Sequence, residues 1–99
     1  MALQRRVYHS VTPDQFSAMR SALAAAGMQL GEGLTPLISS APAGAAVLSF
    51  HPGYGFTVGA LHDGDRTLTV ELEGSSLLMG AAWRKLEEQI APFLAPGAP

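Results

Sequence analysis

Three histidines, His9, His51 and His62, can change charge near neutral pH. With Asp63 and Asp65 beside them, they are candidates for a metal or general-base cluster gathered at strand ends. Their spacing argues against it, because no His-x-x-x-His or comparable ligand pattern is present. His51 and His62 fall at opposite ends of one expected strand. At about 3.3 Å per residue they cannot share an ion within one subunit. They read as exposed loop histidines, and no metal site is assigned.

His62-Asp63-Gly64-Asp65 is turn chemistry for the same kind of reason, since the twelve-residue spacing and terminal glutamate of a calcium loop are missing. Tyr8, Tyr54 and His51 are the candidate ligand-binding residues, with Gly53-Tyr54-Gly55 able to hold an aromatic ring at a pocket mouth. The competing reading is that tyrosines near strand ends cap the core with their hydroxyls in water.

Other catalytic patterns are missing. There is no cysteine, hence no thiolate nucleophile or Cys-ligated metal. No serine stands in a Gly-x-Ser-x-Gly elbow, and Ser75-Ser76 reads as a helix cap. Gly31-Glu32-Gly33 lacks the third glycine and preceding strand of a dinucleotide fingerprint. Glu71 and Glu73 are expected on a solvent-facing strand row and Glu87 and Glu88 on a helix surface, with no apolar surround to make either pair an acid catalyst. No cofactor is assigned.

The residues that must position these groups form one domain, residues 1–99, with 93–99 expected as a frayed tail. A net charge of −2 and six scattered basic residues argue against nucleic-acid binding. The apolar run 41–48 is short and broken by Pro42 and Gly44, so it cannot span a bilayer. The absence of a signal core and of cysteine points to the cytoplasm.

The clearest structural signal is Phe56 to Glu73. Leu68, Val70 and Leu72 alternate with polar residues, as do Phe56, Val58 and Ala60 with Thr57 and Gly59. A two-residue Asp63-Gly64 turn would put the two apolar rows on opposite faces. A three-residue loop, His62-Asp63-Gly64, aligns them and pairs Val58 with Leu68, Phe56 with Val70 and Tyr54 with Leu72. Before it, Ala45 to Phe50 reads as a strand joined through a loop at Pro52 to Tyr54. This pairs Phe50 with Phe56, Leu48 with Val58 and Ala46 with Ala60. Leu3 to Val11 is a first strand, and Thr35 to Ser40 a short edge strand containing Pro36.

Two helices are expected. Thr12-Pro13-Asp14-Gln15 is a capping box, followed by Phe16, Met19 and Leu23 on one stripe and Gly27 as terminator. Met79, Ala82, Trp83, Leu86, Ile90 and Phe93 mark the second, with Pro92 ending it near Ala91.

The fold class is therefore α+β: an antiparallel β-meander of four to five strands, in β-α-β-β-β-β-α order, with two helices packed on one face. The other sheet face is left bare, and on it Val47, Thr57, Leu61 and Thr69 form the candidate interface of a homodimer. The chain reads as a small bacterial-type cytoplasmic domain, a non-catalytic protein-interaction or self-associating module binding neither nucleic acid nor membrane. The alternative is a small-molecule-binding protein or modest enzyme, its pocket lying between sheet and helices near His51 and Tyr54.

Overall fold

Three runs of alternating apolar residues become three consecutive antiparallel strands, and the remaining elements pack around them. The computed structural model describes residues 2–25, 29–30 and 35–94. The order is β1 (Ala2–Tyr8), α1 (Pro13–Ala25), β2 (Gln29–Leu30), α2 (Pro36–Ser39), β3 (Ala46–Gly53), β4 (Phe56–His62), β5 (Leu68–Gly74) and α3 (Met79–Leu94). The strands form one antiparallel sheet in the order β1-β5-β4-β3-β2. The fold is α+β, with the expected meander at its centre, and β1 takes the edge beside β5.

One sheet face is apolar because the inward rows of β3, β4 and β5 carry Leu48, Phe50, Phe56, Val58, Ala60, Leu68, Val70 and Leu72, all buried. Phe16, Met19 and Leu23 of α1 and Met79, Trp83, Leu86 and Ile90 of α3 close over them. At about 25 cal/mol per Å² of apolar surface, this layer is the main source of stability. The capping box forms as expected. Thr12 N–H donates to Gln15 Oε1 at 2.8 Å and Gln15 N–H to Thr12 Oγ1 at 3.1 Å.

The faces of the strands are as expected, but their registers are not. Val58 pairs with Leu72 rather than Leu68, and Ala60 with Val70. The shift is even, so every side chain keeps its face. It follows from a longer loop, 63–67, in which Asp63 Oδ1 accepts from Asp65 N–H at 2.8 Å and Thr67 N–H at 3.2 Å. These two backbone donors, Asp65 first, hold the Asp63 carboxyl below its ordinary range.

The preceding hairpin shifts too. Phe50 pairs with Val58, and an irregularity between Phe50 and Gly53 brings Gly53 opposite Phe56. The turn is the two residues Tyr54 and Gly55, both at positive φ (56° and 77°), as a type I′ hairpin turn requires. Pro52 lies within the irregular strand instead of in the turn.

Three other expectations are corrected. Residues 35–40 form no strand. Pro36 opens α2 and Thr35 caps it, its Oγ1 accepting Ile38 N–H at 3.3 Å. Ser75 and Ser76 do not cap α3 but lie in a turn where Leu78 N–H donates to Ser75 O at 3.2 Å. The helix starts at Met79 and continues through Pro92 to Leu94, because Pro92 lies in its exposed last turn and Phe93 and Leu94 pack partly against the core. Of the expected frayed tail 93–99, Phe93 and Leu94 are instead helical and packed against the core, and the rest, like the terminator Gly27, lies outside the described residues.

The first strand ends at Tyr8, not Val11. Ser10 adopts φ 65° and turns the chain, and Val11 is buried beneath the β4–β5 loop with its N–H on Arg66 O at 2.9 Å.

Candidate functional site

The β3–β4 turn and the start of α3 enclose an apolar groove of about 310 Å³. Pro52, Tyr54 and Phe56 form its strand-side wall, and Leu78, Ala82 and Leu86 its helix-side wall. The groove exists because Ala81 and Ala82 leave room on α3 where the turn passes over it. The volume is at the small end of ligand sites.

Tyr54 forms the roof. Its left-handed backbone, set by the type I′ turn, holds the side chain over the start of α3. Its ring is 80% exposed, and Lys85 Nζ sits 5.5 Å from the ring centroid. Among the described residues, Lys85 is the one charged side chain lining the groove. Leu78 at the rim is also exposed, at 46%.

The sequence-derived ligand residues do not converge. Only Tyr54 lines the groove. His51 lies on the opposite sheet face, its Nδ1 3.4 Å from Thr57 Oγ1. Tyr8 pairs with Leu68, at the other end of β5 from the groove, and its hydroxyl donates to Glu87 Oε2 at 3.0 Å. Burial, then that carboxylate, push the Tyr8 phenol up to about 12. Lys85 and Leu78 were missed. The signal available was Leu78, Ala82 and Lys85 at helical spacing, one step round from the core stripe.

His62 is not an exposed loop residue: it is 1% exposed and ends the inward row of β4. Its Nε2 is 2.6 Å from Val11 O, and its Nδ1 accepts Gly64 N–H at 3.0 Å. Both ring nitrogens are thus engaged in tying the β4–β5 loop to the 9–12 segment, leaving neither for a metal. Among the described residues, no three His, Cys, Asp or Glu side chains are grouped to hold a metal ion.

The second sheet face is not bare either. α2 lies across β4, with Thr35 against Gly59. Glu71 is fully buried there, not solvent-facing. Its carboxylate accepts from Leu37 N–H at 3.2 Å and pairs with Arg5 Nε. Of the expected interface residues, Val47 is exposed at 36%, while Thr57, Leu61 and Thr69 are half-buried. Glu71 is structural: Oε1 fastens α2 to the sheet through Leu37 N–H, Oε2 is taken by Arg5 of β1, and the side chain lines neither cleft of the fold.

No described helix is long and apolar enough to cross a membrane. Compared with known proteins, the chain matches no family model, no curated protein and no solved structure.

Proposed function

We propose that the chain is a non-catalytic binding domain whose site is the Tyr54 groove, and that its ligand is a small anion with an apolar body. The observation that carries this reading is the combination of an apolar cleft, an exposed aromatic roof and one cation at the rim. Apolar walls reward desolvation of a hydrocarbon or single ring. Lys85 supplies one point charge that an attached carboxylate can satisfy without being dragged into the groove. Binding rather than catalysis is favoured because, among the described residues, Tyr54 and Lys85 are the only lining side chains with a titratable group, and they form no acid–base pair or oriented nucleophile.

The test is a backbone-amide NMR titration with hexanoate, hexanol and hexylammonium, three probes of one body and different charge. Saturable shifts are expected at 53–56, Leu78, Ala82 and Lys85, strongest for hexanoate and weakest for hexylammonium. Lys85→Ala should remove the preference for hexanoate over hexanol, and Tyr54→Ala should weaken all three. Shifts scattered elsewhere, or hexylammonium binding as well as hexanoate, would overturn the assignment.

A further inference from the structure

We infer that a second copy of this chain docks antiparallel along the free edge of β1, about a two-fold axis passing beside Arg5. β1 pairs with β5 over its whole length, Ala2 to Tyr8, and no described strand covers its other side. The opposite margin of the sheet is blunted, since β2 covers Phe50 and His51 and the strand then becomes irregular around Pro52. Long regular edges invite pairing unless charges or irregularities prevent it.

The two charges that should protect β1 are turned into their own chain. Arg5 is engaged by buried Glu71 on one face. Arg6 donates to Glu87 Oε1 at 2.6 Å on the other and lies 4.5 Å over the Trp83 ring. The strand also exposes two apolar side chains, Leu3 at 41% and Val7 at 51%, on the same face and equally spaced about Arg5, while Arg5 and Arg6 keep nearly half of their own side-chain surface in solvent.

That spacing selects the register. An axis at Arg5 sets Leu3 against the partner's Val7 and repeats the pair by symmetry, giving cross-strand apolar contacts. It also sets Arg5 opposite the partner's Arg5, a like-charge pair offset by the Glu71 that each chain holds against its own Arg5. An axis at Gln4 would put Leu3 opposite an arginine, and one at Arg6 would do the same to Val7. Odd registers would place α1 and α3 of the two copies on opposite sheet faces.

A second element agrees. Gln4 Oε1 accepts from Trp83 Nε1 at 2.9 Å, and Arg6 and Tyr8 reach Glu87, so Arg5 is level with the 83–87 turn of α3. The same axis therefore runs the two α3 helices antiparallel, with exposed Arg84 facing the partner's Glu88 across the cleft that flanks β1. Strand edge and helix flank are both self-complementary about one axis.

Light scattering coupled to size-exclusion chromatography, run over a concentration series, tests this. The wild type should reach twice its 10.3 kDa mass. Val7→Lys should be monomeric with an unchanged circular dichroism spectrum, since Val7 is exposed. Arg84→Glu should weaken the dimer about tenfold or more, and adding Glu88→Arg should restore it. A wild type that stays monomeric at every concentration overturns the inference. So does a dimer indifferent to both Val7→Lys and Arg84→Glu. The groove lies away from this edge, so hexanoate titration of the Val7→Lys monomer tests the binding reading separately.

Discussion

The two faces of the sheet are built on opposite principles. The inner face is a continuous apolar layer of sixteen buried hydrophobic side chains among the described residues. The outer face is held at one spot by a few specific polar contacts. Glu71 fastens α2 through Leu37 N–H, Arg5 closes the carboxylate from the solvent side, and Gly59 leaves the space that Thr35 occupies. Hydrophobic burial is non-directional and spreads its energy over area, whereas a buried carboxylate is costly unless each oxygen is met. Damage to the first should therefore spread through the domain, and damage to the second should stay near α2.

The largest effects compare neighbours on β5. Glu71→Ala is expected to cost roughly 3 kcal/mol, the low end for breaking a buried pair, because Arg5 can return to water. Leu72→Ala should cost a similar amount, about 2–5 kcal/mol. The pattern should differ in native-state hydrogen exchange. Glu71→Ala should unprotect Leu37 and Ile38 first, while Leu72→Ala lowers protection across the sheet and α3 together. Identical exchange patterns in the two variants would break the comparison.

Gly59→Ala sharpens it. A Cβ there would stand 2.4 Å from Thr35 Oγ1, and the other close atoms, at 3.1 and 3.3 Å, belong to Thr35 and Ile38. The expected cost is about 1–3 kcal/mol by denaturant unfolding. Thr35→Gly alone should cost about 1–2 kcal/mol, since it removes the cap and a side chain only 2% exposed. The double variant should lose less than the sum, since one removes what the other strikes. Additive costs would mean that α2 is not seated on Gly59.

The smallest effect is on the inner side, where β1 meets α3. With the Tyr8 phenol pushed up to about 12, its folded value is above the ordinary one near 10. The stability it contributes is then fully present below pH 10 and is lost as pH rises from there through about 12. Denaturant midpoints measured at pH 9 and pH 11.5 should fall more in the wild type than in Tyr8→Phe. Equal falls would mean that neither the burial of the phenol nor its Glu87 contact holds in solution.

How much of this was legible follows the same division. The Phe16-Met19-Leu23 and Met79-Trp83-Leu86-Ile90 stripes, the Thr12–Gln15 capping box and the inward rows of three strands were all readable, because each is a local repeat of residue types. Of the candidate site, Tyr54 was readable as an aromatic between two glycines. Its groove was not, since the second wall comes from Leu78 in the turn before α3 and from Ala82 and Lys85 on α3, more than twenty residues away. His51 and Tyr8 were misplaced for the converse reason. Each is an aromatic near a strand end, but their sheet face and end depend on pairings that sequence spacing leaves open.

The sequence by itself determined which face each strand residue occupies, because side chains alternate with a period of two and a buried face tolerates only even shifts. The tertiary structure alone decided which even shift. It did so through contacts far along the chain: His62 with Val11, fifty-one residues apart, and Glu71 with Leu37, thirty-four apart. Such contacts bury a polar group only where a distant backbone atom arrives to satisfy it, and no local pattern of residue types records that arrival.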